Sequence, residues 1–165
     1  MCGIAGLIHR GKSTNVGGEM QNMLQSLKHR GPDSTGYALY GDSGSNDYVL
    51  RFKVGENVKE GSTAVVEDDS VYQKRQEFVN SEIVSAGAEI VEQKQITPYS
   101  FRYIIKTEDD LLELAKKIES VEMTEILSLG KSLELVKDIG DATVVAKQYG
   151  LSNFSGTHGI GHTRM

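Results

Sequence analysis

The sequence predicts a mixed α+β fold, on three observations. Residues 2–9, CGIAGLIH, are apolar with small residues interleaved, as in a buried strand that begins at the N-terminus. Met20, Met23, Leu24 and Leu27 follow at i, i+3, i+4 and i+7 and draw one apolar stripe along a helix. Further on, YSFRYIIKT (99–107) reads as a strand and leads into EDDLLELAKKIESV (108–121), an amphipathic helix with acids first and lysines later.

The elements between these follow the same logic. Residues 10–18, RGKSTNVGG, form a Gly-rich loop, and the first helix runs over about 18–29. His29 and Arg30 fall in its last turn, where cations suit the helix dipole, and Gly31-Pro32 stops it. TGYALYG (35–41) and DYVLRFKV (47–54) read as strands, and the turn-forming GDSGSN between them predicts a hairpin. From about residue 56 polar and acidic residues dominate until about 95, with a helix over 70–87 whose apolar stripe is imperfect. MTEILSLGKSLELVKDIG (123–140) predicts a strand, a turn and a second strand or short helix; DATVVAKQYG (141–150) predicts a helix capped by Gly150. This middle block reads as a small α/β unit. SNFSGTHGIGHTRM (152–165) is glycine-rich and polar, and its end reads as cut rather than finished.

Composition narrows the class. The 165 residues are 38% hydrophobic and 25% charged, as in a soluble globular domain. A formal net charge of -5 without a dense Lys/Arg cluster argues against a nucleic-acid or anionic-membrane partner. Cys2 is the single cysteine, so no intrachain disulfide forms, which fits a reducing compartment. The apolar stretch Ile4 to Ile8 is too short for a secretory signal and lacks a basic start, and no run approaches the roughly 20 apolar residues of a membrane span. A cytoplasmic location is expected.

Three segments offer chemistry. Removal of Met1 is favoured before a small residue and leaves the Cys2 thiol and a free α-amine on one residue. Ordinary pKa values of about 8.5 and 7.7–8.0 let that amine take the thiol proton near neutral pH. The plainer reading is a small buried strand residue. HRGPDSTG (29–36) is either a functional motif or a helix–turn–strand junction with Asp33 or Ser34 capping the turn. Arg164, in GHTRM (161–165), offers a planar fork to a carboxylate, or is a surface arginine. The four histidines, His9, His29, His158 and His162, show no metal-ligand pattern; His29 and His162 are expected to be hydrogen-bonded scaffold residues. No metal or cofactor is expected.

Taken together, MCGIAGLI at the start, HRGPDSTG after the first helix and GIGHTR near the end resemble the class II glutamine amidotransferases, which are N-terminal-nucleophile hydrolases. The resemblance covers residues 1–54 and about 156–165 and is closest to stand-alone amidotransferase subunits of the glutamate synthase type. It implies part of an αββα sandwich of two antiparallel sheets, with an insertion at about 56–155. It implies that Cys2 attacks the glutamine side-chain amide to give a γ-glutamyl thioester and ammonia. Arg30 would organise the nucleophile's surroundings, Arg164 bind the substrate α-carboxylate with Thr163 beside it, and Met165 offer a main-chain contact. The implied partners are glutamine and a synthase domain or subunit that accepts the ammonia. In the family an Asn-Gly oxyanion hole and an Asp for the substrate amine lie further along. Losing one oxyanion donor typically costs about 100–1000-fold in rate, so this chain alone is expected to hydrolyse glutamine poorly. Two alternatives stand beside this reading: a non-catalytic regulatory or subunit-docking module of the same shape, and a hydrolase of another amide.

Overall fold

The computed structural model describes residues 2–31, 33–42, 46–56 and 67–165. In chain order the elements are β1 (Gly3–Ile8), α1 (Val16–Ser26), a 3-10 turn (Lys28–Arg30), β2 (Ser34–Gly41), β3 (Tyr48–Lys53), α2 (Asp69–Ser85), β4 (Glu89–Thr97), β5 (Ser100–Lys106), α3 (Leu111–Glu119), β6 (Glu125–Gly130), β7 (Leu133–Ile139), α4 (Ala142–Gln148) and β8 (Gly156–Arg164). They divide into two compact units, residues 1–44 with 132–165, and residues 45–131. The excursion expected at 56–155 thus differs from the second unit at both ends. Residues 132–155 supply β7 and α4 to the first unit, where Val136, Val145 and Ala146 are buried. None of the described helices is long and apolar enough to cross a membrane.

The first unit is built on a four-stranded antiparallel sheet in the order β1-β8-β2-β7. The closing segment, read from sequence only as glycine-rich and polar, is therefore an interior strand lying between β1 and β2. Its glycines explain why. A Cβ on Gly161 would meet Leu24 Cδ1 at 2.5 Å and Met20 Sδ at 2.8 Å, and one on Gly159 would meet Leu39 Cδ2 at 2.8 Å. Bare backbone there lets α1 lie directly on β8, and Val16, Met20 and Leu24 are fully buried beneath it. The Asn15 side chain accepts from Gly18 N at 3.0 Å and caps α1.

Helix α4 is held by side chains at both ends. Asp141 accepts from Val144 N at 3.1 Å and from Lys28 Nζ at 2.9 Å. The Lys28 hydrogen bond, then the backbone one, holds the Asp141 carboxyl below its ordinary pKa. Tyr37 donates to Ala142 O at 2.6 Å; burial first, then the Asp141 charge, pushes its hydroxyl well above the ordinary tyrosine range, so it stays a donor. Tyr149 donates to Asp138 Oδ2 at 2.7 Å.

The second unit has its own four-stranded antiparallel sheet, β4-β5-β3-β6, with α2 and α3 against it. Leu50, Phe52, Phe101, Tyr103 and Ile105 from the strands meet Val79, Ile83, Leu114 and Ile118 from the helices. The imperfect stripe of α2 has a specific cause: an inward position is taken by Arg75, which donates to Val54 O at 3.0 Å and to both carboxylate oxygens of Glu67 at 2.6 and 2.8 Å. Among the described residues β4 pairs only with β5, and at this edge most of its residues are exposed, which is why its sequence reads as polar.

The expected hairpin does not form. β2 pairs with β7 and β8, while β3 pairs with β5 and β6 in the other sheet. Both edges of each strand are taken by partners distant in sequence, leaving neither edge for the other. The turn residues 43–45 of that expectation lie outside the described residues.

Candidate active site

Strand β1 carries the candidate nucleophile to the edge of the first sheet. It pairs with β8 in a register that sets Gly3 opposite Thr163 and Ile4 opposite His162. Carried one residue further, this register sets Cys2 opposite Arg164. Alternation puts Cys2 on the face of Ile4, Gly6 and Ile8, away from the helices. Arg164 lies on the same face with Ile160 and His162. This face is open, with Ile4 and Ile8 each 73% exposed and Ile160 58% exposed. Cys2 is a free, exposed thiol.

HRGPDSTG and GHTR meet through their backbones. A Cβ on Gly31 would sit 2.6–2.8 Å from the carbonyl carbon, nitrogen and Cα of Arg164. Gly31 has φ 179, so the requirement is one of space rather than of conformation. Asp33 N then donates to Arg164 O at 3.1 Å, and Ser34 stands opposite Arg164 in the β2–β8 register. Pro32 lies outside the described residues.

The remaining expected residues divide between the two sides of the sheet. Arg30 and Thr163 approach Gly3 from the helix-covered side: a Cβ on Gly3 would meet Thr163 Oγ1 at 2.8 Å and Arg30 Cβ at 3.4 Å. Arg30 thus stands beside the residue that follows Cys2. Thr163 is 1% exposed, and its Oγ1 has no hydrogen-bond partner among the described residues. Its side chain therefore does not share the open face with Arg164. Met165 is exposed at the end of β8.

A cavity of about 260 Å³ opens on the outer face of the sheet, lined by Ser34, Gly36, Ala38, Leu135, His162 and Arg164 among others. The sequence reading names neither Ser34 nor His162 among its site residues. The signal was present: in THGIGHTR, His158, Ile160, His162 and Arg164 alternate with Gly and Thr at the period of a strand. The expectation that His162 is a hydrogen-bonded scaffold residue is not met, since its ring has no partner among the described residues. No group of three or more His, Cys, Asp and Glu that could hold a metal occurs among the described residues.

An exposed cysteine thus precedes an edge strand whose neighbouring strand ends at an arginine. Over nearly its whole length the chain is similar to a putative glutamine amidotransferase of Methanothermobacter thermautotrophicus, with 35% identity over 167 residues, covering 99% of this chain and 52% of that protein. It is also similar to the glutamine amidotransferase-like protein GlxB of Rhizobium meliloti, with 25% identity over 169 residues, covering 100% of this chain and 50% of that protein. The chain spans about half the length of the curated relatives it matches. No family model matches. These likenesses support a glutamine amidotransferase family.

Proposed function

We propose that the chain carries the glutaminase half-reaction of a class II amidotransferase. One observation supports this reading: the β1–β8 register ends at Gly3 opposite Thr163, so Cys2 and Arg164 are the next residues along the two neighbouring strands. With Met1 removed, the Cys2 α-amine takes the thiol proton. The thiolate attacks the side-chain carbonyl carbon of glutamine while Arg164 holds the α-carboxylate in a charge-assisted pair. Collapse of the tetrahedral adduct breaks the C–N bond. The proton held by the amine goes to the departing nitrogen, and ammonia leaves a γ-glutamyl thioester on Cys2. Water then cleaves the thioester to glutamate and restores the thiol. The ammonia passes to a synthase domain or subunit of the glutamate synthase type, in the cytoplasm.

Arg30 acts as a positioning residue through Gly3, and Met165 offers its main chain to the substrate. With its side chain under the sheet, Thr163 fixes the β1–β8 spacing instead of touching glutamine. The exposed apolar row of Ile4, Ile8 and Ile160 supports the αββα reading, because an apolar sheet face of this kind calls for cover.

Alkylation of Cys2 in the presence of glutamine, or of a simple amide lacking the α-carboxylate, tests the reading. Glutamine slows alkylation and the simple amide does so much less; Arg164→Ala removes that difference. Equal protection by both ligands in the unsubstituted chain contradicts it.

A further inference from the structure

Strand β4 closes one side of the second unit's sheet: among the described residues it pairs with β5 and with nothing on its other side. Such an edge offers a row of backbone N–H and C=O groups to any strand that fits beside it. Here the row is accessible. Val91, Glu92, Gln93, Lys94 and Gln95 are all exposed. Side chains alternate between the two faces of a strand, so five exposed residues in succession mean that neither face is covered at this point. Register shifts between Ile90 and Glu92 and between Gln95 and Thr97 bound the stretch and leave residues 92–95 regular.

The charges of the stretch select what fits beside it. Glu92 and Lys94 lie two residues apart, hence on one face, and neither has a hydrogen bond or ion pair among the described residues. Consider a second β4 laid antiparallel against the first, about a twofold axis at Gln93. Glu92 of each copy then stands opposite Lys94 of the other, so one register makes two complementary pairs. The neighbouring symmetric registers fail. Centred on Glu92, the axis sets glutamate against glutamate; centred on Lys94, it sets lysine against lysine. Lys94 also stands opposite Arg102 on β5, and Arg102 opposite Arg51 on β3, so three cations follow one another across the sheet. Glu92 of the second copy ends that row with an anion.

We propose that β4 is a self-recognition edge: a second copy of the chain docks on it antiparallel, centred on Gln93, and joins the two four-stranded sheets into one continuous sheet. The contact uses none of Cys2, Arg30 and Arg164, so it stands independently of the glutaminase reading.

The test is sedimentation of the full chain and its charge variants over a concentration series. The unsubstituted chain is a dimer at the upper end. Glu92→Lys and Lys94→Glu each turn both complementary pairs into like-charge pairs and raise the dissociation constant at least about tenfold. The two single variants mixed in equal amounts recover the dimer, because each supplies the charges that the other lacks; the doubly substituted chain recovers it too. A misfolded variant would not be rescued by mixing, so rescue separates charge from folding. A monomer throughout the series overturns the proposal. So does a dimer that neither reversal weakens, which would place the contact elsewhere, such as on the exposed face of Ile4, Ile8 and Ile160. Weakening without rescue on mixing overturns it as well.

Discussion

Gly3 and Thr163 face each other across the β1–β8 register, and a Cβ on Gly3 would lie 2.8 Å from the buried Thr163 Oγ1. This pair sets how closely the strand bearing Cys2 approaches the strand bearing Arg164.

Gly3→Ala is expected to destabilise the chain by about 1–3 kcal/mol, the usual effect of overpacking. Thr163, Leu27 and Arg30 all crowd that position, the last two at 3.2 and 3.4 Å. Gly6→Ala on the same strand is the control, because its nearest neighbour is at 3.7 Å, an ordinary contact. Thermal denaturation of the two variants checks the contrast; equal effects would sink the argument.

Gly31→Ala is expected to move Arg164. Its Cβ would meet the Arg164 backbone at 2.6–2.8 Å, and backbone cannot turn aside as a flexible side chain can. Glutamine protection of Cys2 should fall in this variant, with folding partly preserved. Unchanged protection would show that the HRG glycine does not place the arginine.

Asp141 links pH to stability. Lys28 and the α4 amides hold its carboxyl below the ordinary range in the folded chain, so its contribution is present above the unfolded value of about 3.9. It is lost as pH falls through the folded value. Below about pH 4 the unsubstituted chain should therefore lose stability that Asp141→Ala has already lost. Near neutral pH, Asp141→Ala costs about 1 kcal/mol, while Asp141→Asn costs less because the amide still caps α4. Melting temperatures across acidic pH decide; parallel curves for chain and variant contradict the assignment.

Arg75 holds Val54 O and Glu67 together through a planar fork. A lysine has no such fork, so Arg75→Lys should destabilise by about 1–3 kcal/mol, in the range for hydrogen bonds to charged groups. Denaturant unfolding measures it, and a change within about 0.5 kcal/mol, as at an ordinary surface site, would contradict it.

Sequence reading worked where a period was strong and local. The strand at CGIAGLIH appears as Gly3–Ile8, although Ile4 and Ile8 of this expected buried strand are exposed, and the stripe of Met20 and Leu24 marks α1. It failed where pairing is long-range. β2 and β3 are close in sequence and both carry strand patterns, yet their partners lie about 50 residues or more away. Nothing within GDSGSN encodes that choice. β8 escaped notice because Gly159 and Gly161 hide its inner face; the apolar atoms filling that face belong to Met20 and Leu24 of α1. Motif order did bring Cys2, Arg30 and Arg164 to one end of one sheet, but it gave no sign that Thr163 points beneath it.

The most direct test is an intact mass of the purified chain combined with the alkylation rate of Cys2, with and without glutamine. The account predicts that Met1 is absent and that glutamine slows alkylation. Retained Met1, or a rate indifferent to glutamine, would contradict the assignment of Cys2 as an N-terminal nucleophile and favour a non-catalytic module.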